Sequence, residues 1–134
     1  MQVPFSNTPS VVRETSAGVL EMWIDRRGWL LSRMRGRFEL AQCTTMMATG
    51  DEAIRLSPRL RFVHDWRDLT GFDLSVPPHL VAWAAKNVRS VEHSTIVCRS
   101  PMVAMAAHAA NLTLKNMLFV STDPAALDRA FVAW

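Results

Sequence analysis

Apolar residues along this chain follow strand-like spacing in some stretches and helix-like spacing in others. Residues 18–25 and 29–38 are two strand-like runs separated by a short polar segment that ends in Gly28. This pattern predicts a β-hairpin whose loop is closed by a glycine in the left-handed conformation. Further apolar runs predict strands over residues 60–66, 93–98 and 117–120.

Helix-like spacing occupies the segments between those strands. Residues 39–56 carry one such pattern, which Ser57-Pro58 ends because the residue before proline disfavours helical angles. Single helices between strands imply right-handed crossovers and a mainly parallel sheet. The predicted fold class is therefore α/β, with a central mostly parallel mixed sheet, an opening antiparallel hairpin and about four helices. The other predicted helices cover residues 77–88, a segment opened by Ser100-Pro101, and a segment running from Pro124 through Trp134.

Length and composition indicate one folded domain. The chain has 134 residues, of which 49% are hydrophobic, enough for a substantial core. Residues 1–15 are predicted to be a flexible N-terminal arm, and residues 16–134 a single domain. The start of the chain lacks the pattern of a signal peptide, and no apolar run is long enough to span a membrane. With two cysteines at no metal-binding or redox spacing, these features predict a cytoplasmic protein with reduced thiols.

The stretch from Leu60 to His79 is predicted to be strand, loop and helix in succession. Its loop is placed at residues 67–75, around Gly71. In open α/β sheets, ligands and partners are usually met where a strand end leads to a helix start. We therefore expect the interaction site of the chain here.

Ser75 lies just before Pro77-Pro78, at the predicted start of a helix. Serine in this position commonly caps a helix, and proline is well tolerated in a first turn. Backbone N–H groups and the helix dipole would also favour a phosphate there. Ser75 is thus both a candidate cap and a candidate phosphorylation site, and the residue pattern leaves both interpretations open.

The residue pattern gives little support for a catalytic site or a metal-binding site. Asp65, Asp68 and Asp73 could bind a divalent cation, but loop carboxylates more often serve turns and caps. There is no glycine-rich phosphate loop, no nucleophile-elbow motif and no histidine pair at metal-ligand spacing. The chain is therefore predicted not to be an enzyme and to hold no metal or cofactor.

Alternation along the second hairpin strand separates its side chains onto two faces. One face carries Arg33, Arg35 and Arg37, with apolar residues at one end. Such a basic face could meet an acidic partner or a phosphate backbone, or simply be solvated. Because the net charge is only +3, a nucleic-acid partner is not expected.

Several short motifs resemble the STAS family, named for sulfate transporters and anti-sigma-factor antagonists. They cover the chain from about Gly18 to Trp134, and the likeness is to the short, single-domain STAS-like proteins of bacteria. The resembling segments are Arg33–Glu39 with its Gly36, Val63-His64-Asp65, the Phe72–Ser75 loop before a helix, and Thr95–Cys98 with its following helix.

The resemblance implies a non-enzymatic signalling domain that binds a protein partner such as an anti-sigma factor or a kinase. In anti-sigma-factor antagonists, a serine that follows an aspartate at the start of the second helix is phosphorylated; these positions correspond to Asp73 and Ser75. The chain departs from the family here, because Asp73-Leu74-Ser75-Val76-Pro77-Pro78 replaces the family's usual Asp-Ser-Ser-Gly run, without its glycine and with two prolines. The predicted partner-binding residues are Asp65, Asp68, Phe72, Asp73, Ser75 and His79.

Two alternative functions remain compatible with this sequence. The fold could hold a lipid-like or other small hydrophobic ligand between sheet and helices, since its methionine- and alanine-rich helices would suit an adaptable pocket. It could also be a homo-oligomeric scaffold, for example a homodimer, associating through the hairpin or the alanine-rich helix.

Overall fold

The computed structural model describes residue 5 and residues 7–132. Within them the chain forms one six-stranded sheet with strands in sequence order. The strands are β1 (Val11–Glu14), β2 (Gly18–Asp25), β3 (Trp29–Phe38), β4 (Leu60–Phe72), β5 (Val91–Cys98) and β6 (Leu118–Ser121). The helices are α1 (Leu40–Leu56), α2 (Val76–Lys86), α3 (Pro101–Thr113) and α4 (Ala125–Ala130), with a 3₁₀ turn at Val88–Ser90.

The sheet is mixed, and most of its strand pairs are parallel. Strands β1 to β3 form an antiparallel meander. Strands β3 to β6 are parallel neighbours, joined by helical crossovers. This arrangement confirms the predicted α/β class, the opening hairpin and the four helices among the described residues.

The hairpin between β2 and β3 closes as predicted. Gly28 has φ +97°, and its N–H donates to the Asp25 carbonyl over 3.0 Å. An added Cβ at Gly28 would lie 3.0 Å from the carbonyl oxygen of Arg59. Glycine is therefore required here both for its backbone angle and for the close approach of the neighbouring chain.

Part of the predicted N-terminal arm is structured. Residues 11–14 form the edge strand β1, which pairs with β2 from Val11 opposite Met22 to Glu14 opposite Val19. The Trp23 indole N–H also donates to the Asn7 carbonyl over 2.8 Å. The open edge of β2 explains this ordering, because it supplies backbone partners that local sequence does not reveal. Residues 1–4 and 6 of the predicted arm, and residues 133–134 of the predicted last helix, lie outside the described residues.

The prediction of a loop over residues 67–75 was wrong for most of that segment. Strand β4 continues through Phe72 and contains 13 residues. Its second half pairs with β3, with Asp68 opposite Arg35 and Leu69 opposite Gly36. Charged residues and Gly71 suggested a turn, but the long neighbouring strand supplies hydrogen-bond partners for an extended chain.

The two faces of the sheet bury separate apolar clusters. The larger cluster lies beneath α1, α2 and α3 and includes Leu30, Met34 and Phe38, which lie on the face of β3 opposite its arginines. The smaller cluster contains Trp29, Leu31 and Phe131, the last of which follows α4. The sheet is therefore covered on both faces, as its parallel part requires.

Candidate functional site

Asp65 is an internal residue, not a surface one. Its side chain is 7% exposed, and Arg67 contacts it with Nε–Oδ1 and Nη2–Oδ2 distances of 2.8 and 2.9 Å. Arg33 Nε lies 3.7 Å from Oδ2. This two-sided pairing gives Asp65 a structural role at the centre of the sheet.

The other two candidate carboxylates also face arginines. The Asp73 carboxylate accepts from Nε and Nη2 of Arg37 at 2.9 and 2.8 Å. Asp68 is 62% exposed and lies 3.6 Å from Arg99. No group of three or more histidine, cysteine or acidic residues in the described chain is arranged to hold a metal ion.

The predicted basic face is largely neutralised by these contacts. Arg33 and Arg37 pair with Asp65 and Asp73 as above, and Arg35 pairs with Glu21 at 3.2 Å. The two exposed pairs, Arg35–Glu21 and Arg37–Asp73, contribute little stability each. They do reduce the positive potential that an acidic partner would meet.

Ser75 takes the N-cap position of α2, but its side chain does not cap the helix. The residue has helical angles, φ −73° and ψ −19°, and its hydroxyl makes no cap hydrogen bond. Its carbonyl oxygen lies 2.6 Å from His79 Nδ1. The hydroxyl is exposed, beside Leu74, whose side chain is 86% exposed. Ser100, in contrast, caps α3 by accepting from the Val103 N–H over 3.4 Å.

A cavity of about 130 Å³ lies between the sheet and helices α1, α2 and α3. Its wall is almost wholly apolar and includes Phe72 of the predicted site. Helix α2 contributes Leu80, Val81 and Ala84 to the wall, yet only Val76 of that helix is fully buried. Helix α2 thus covers a space that its own side chains do not fill.

Small residues on α3 leave much of this space. Ala106, Ala107 and Ala110 line the cavity at helical spacing. Their methyl side chains occupy little of the space between helix and sheet, so part of that space stays open. The cavity is partly open to solvent.

Trp83 forms a firm wall on the side of α1. Its ring stacks on Phe62 at 6.0 Å, and its N–H donates to Asp51 over 2.8 Å. A Cβ added at Gly50 of α1 would lie only 2.6 Å from the indole. Glycine at this position lets the tryptophan lie flat against the helix.

Three polar side chains form a buried chain beside the cavity. The Trp66 indole N–H donates to Ser32 Oγ over 3.0 Å, and Ser32 Oγ lies 2.6 Å from His64 Nδ1. His64 and Trp66 line the cavity. Burial lowers the pKa of His64 from 6.5 to about 4, because the charged imidazolium would lose its hydration. The histidine is therefore neutral near neutral pH.

Sequence reasoning did not identify this polar chain. Ser32 and His64 occupy core-facing positions of apolar strands, and a polar residue at such a position is an informative signal. The histidines were considered only for metal-ligand spacing, which they lack. The pairing of Ser32 with His64 across β3 and β4 depends on the strand register, which sequence spacing does not supply.

With this geometry established, comparison with a solved structure agrees on the architecture. The fold is SpoIIAA-like. One similar structure is an uncharacterized protein of the DUF3478 family from Shewanella loihica PV-4, with a TM-score of 0.62 and 12% identity. The match covers 90% of this chain and 98% of that one.

No family model and no curated protein matches the chain. The structural likeness therefore supports the STAS-like fold expected from the motifs, and at this identity it supports the fold alone. Within the described residues, no helix is long and apolar enough to cross a membrane.

Proposed function

We propose that this chain binds a small apolar molecule in the cavity between its sheet and helices α1 to α3. The observation that supports this function is a partly open, apolar cavity beneath three helices. Interiors normally contain few voids larger than a water molecule. A space of about 130 Å³ that the helices do not fill therefore has the character of a binding site for a small apolar ligand.

The volume sets the size of the ligand. A cavity of roughly 150 Å³ lined by aliphatic and aromatic residues is known to bind benzene. A single aromatic ring or a short branched chain fits the space described here, and a longer molecule can extend into solvent because the cavity is partly open. The flexible thioethers of Met46 and Met47 allow the wall to adjust to different shapes.

A matched pair of substitutions on α3 tests this proposal. Ala106→Phe fills the cavity, whereas Ala109→Phe adds the same side chain at an exposed position of the same helix. Neutral ligands such as toluene and acetophenone should raise the melting temperature of the wild type and of the Ala109→Phe variant. A ligand at 100 times its Kd stabilises a protein by about 2.7 kcal/mol. The Ala106→Phe variant should show no such shift.

Native mass spectrometry of protein purified from its own cells provides a second test. A bound mass in the wild type that is missing from Ala106→Phe would support the cavity as its location. Equal ligand-induced shifts in both phenylalanine variants, or no shift in the wild type with any neutral ligand, would contradict the proposal.

Partner binding around residues 72–81 is a second candidate function, and the state of Ser75 favours it. The hydroxyl is exposed and makes no hydrogen bond within the described chain, so a kinase could reach it. Phosphorylation would add nearly two negative charges at the start of α2. Because α2 also covers the cavity, a partner at its start could sense whether the cavity is filled.

Peptide mapping of protein from its own cells tests this second candidate. A phosphate on Ser75 would support it, and Ser75→Asp should then change partner affinity without changing the urea midpoint, with Ser75→Ala as the control. An unmodified Ser75 and an unchanged affinity would argue against it. The same preparation reports the oligomeric state, for which a homodimer stays a prediction.

A further inference from the structure

We propose that His64 presents its Nε2–H to the cavity as a hydrogen-bond donor, so that the preferred ligand is an apolar molecule carrying one neutral acceptor such as a ketone or ester carbonyl. This inference rests on the proposed function and specifies the chemistry of the ligand. It follows from the order of hydrogen bonds in the buried chain of Trp66, Ser32 and His64.

The Trp66 indole determines which group donates and which accepts in each of these two hydrogen bonds. An indole nitrogen is only a donor, so the Trp66 N–H must donate to Ser32 Oγ, at 3.0 Å. The Ser32 hydroxyl hydrogen then needs an acceptor, and among the described residues the side chain contacts only His64 Nδ1, at 2.6 Å. Donation from the hydroxyl makes Nδ1 the unprotonated nitrogen and places the imidazole proton on Nε2.

The protonated nitrogen has no partner within the described chain. Every described side-chain nitrogen or oxygen that is sealed from solvent has a hydrogen-bond partner. His64 Nε2 has none, so it must reach open space, and the open space that His64 borders is the cavity. The residue as a whole is only 7% exposed. An unused donor at a buried site is costly unless something accepts from it.

The surroundings select a neutral acceptor. The described residues that line the cavity include no aspartate, glutamate, lysine or arginine. A carboxylate placed here would lose its hydration with no cation to compensate. Burial also keeps His64 uncharged near neutral pH by lowering its pKa to about 4. Removing a neutral carbonyl from water costs far less free energy, and a single N–H donor can satisfy its oxygen.

Ser94 is the alternative polar group. It is 3% exposed, lines the cavity, and its hydroxyl makes no hydrogen bond within the described chain. A hydroxyl can donate or accept, so it does not by itself distinguish carbonyl ligands from alcohols. His64 is the group that can only donate when Nδ1 is occupied. Ser94→Ala therefore serves as the matched control for His64.

The test compares two ligands of the same shape, acetophenone and α-methylstyrene, in which a C=O group is replaced by C=CH2. The measured quantity is the ratio of their affinities for each variant by calorimetry. Because an unpaired buried carbonyl loses roughly tenfold or more in affinity, His64→Phe should lower the ketone-to-alkene ratio at least about tenfold. Ser94→Ala should leave the ratio nearly unchanged.

Two readouts separate a direct hydrogen bond from a structural effect of the substitution. The carbonyl stretch of bound acetophenone should lie at lower frequency in the wild type than in His64→Phe. Multibond proton–nitrogen NMR of the ligand-free wild type should show that His64 is protonated at Nε2 and unprotonated at Nδ1. The NMR measurement needs no variant, so it holds even if His64→Phe fails to fold.

The outcomes are distinguishable. An unchanged affinity ratio in His64→Phe, a fall confined to Ser94→Ala, or a proton on Nδ1 would overturn the His64 inference and leave the proposed function standing. Failure of both ligands to bind the wild type would overturn the proposed function and this inference with it.

Discussion

The buried histidine predicts a specific dependence of stability on pH. Burial lowers the pKa of His64 to about 4 in the folded chain, against 6.5 when unfolded. The unfolded chain therefore binds a proton as the pH falls through 6.5, while the folded chain does not until about pH 4. The stability that His64 contributes as a neutral residue is present above pH 6.5 and is lost as the pH falls toward 4.

The size of the effect follows from these two pKa values. Between about pH 7 and about pH 5 the unfolded histidine becomes almost fully protonated, and the folded one stays neutral. Linkage then predicts a loss of about 2 kcal/mol in the free energy of unfolding over that interval. Acidic groups such as Glu52 and Glu92, whose pKa values are lowered by arginine partners, titrate mainly below it.

The assay is urea unfolding at both pH values, followed by circular dichroism, for the wild type and His64→Phe. Absolute stability will differ between the two proteins because Ser32 loses its partner, so the comparison is of the change with pH. The wild type should lose about 2 kcal/mol more than the variant. Equal losses in both proteins, or a folded-state NMR titration of His64 near its unfolded pKa, would refute the reasoning.

Three further predictions concern packing. Gly50→Ala should destabilise the fold by about 1–3 kcal/mol despite the better helix propensity of alanine, because its Cβ would lie 2.6 Å from Trp83. In a Trp83→Leu background this destabilisation should vanish. If it persists there, the clash with Trp83 is not its cause. Gly36→Ala should lower the urea midpoint by the equivalent of at least about 2 kcal/mol, because φ is +78° and the new Cβ would lie 2.3 Å from the Ala17 carbonyl oxygen. An unchanged midpoint would show that the backbone of β3 can shift to accommodate the methyl group. Burial raises the pKa of Cys43 to about 11, so iodoacetamide should label it slowly near pH 8 in the folded protein and rapidly in urea, and fast labelling of folded protein would show that the thiol is accessible.

The cavity explains why one helix in this fold is so incompletely buried. Helix α2 was predicted over residues 77–88, and it turns Leu80, Val81 and Ala84 toward the cavity, but these three residues are only half-buried. An apolar stripe in the sequence shows which face of a helix turns inward. It does not show whether the space beneath is filled, because that depends on side chains from other elements.

The same limit applies to the charged residues. Asp65 and Arg33 were separate features of the sequence, an acidic strand end and a basic stripe. In the fold they lie on neighbouring parallel strands and pair with each other. Strand register, which no local pattern specifies, turned two candidate surface features into one internal ion pair.

Local chemistry alone determined the alternation of strands and helices, the hairpin at Gly28 and the positions of most helix starts, because periodicity, proline and glycine act over a few residues. Tertiary structure alone decided that β4 runs through Phe72, that residues 11–14 join the sheet, and that Ser32, His64 and Trp66 meet beside an apolar cavity. These features depend on which distant residues become neighbours. That choice is made by packing and register across the whole sheet, not by the order of residues within any one segment.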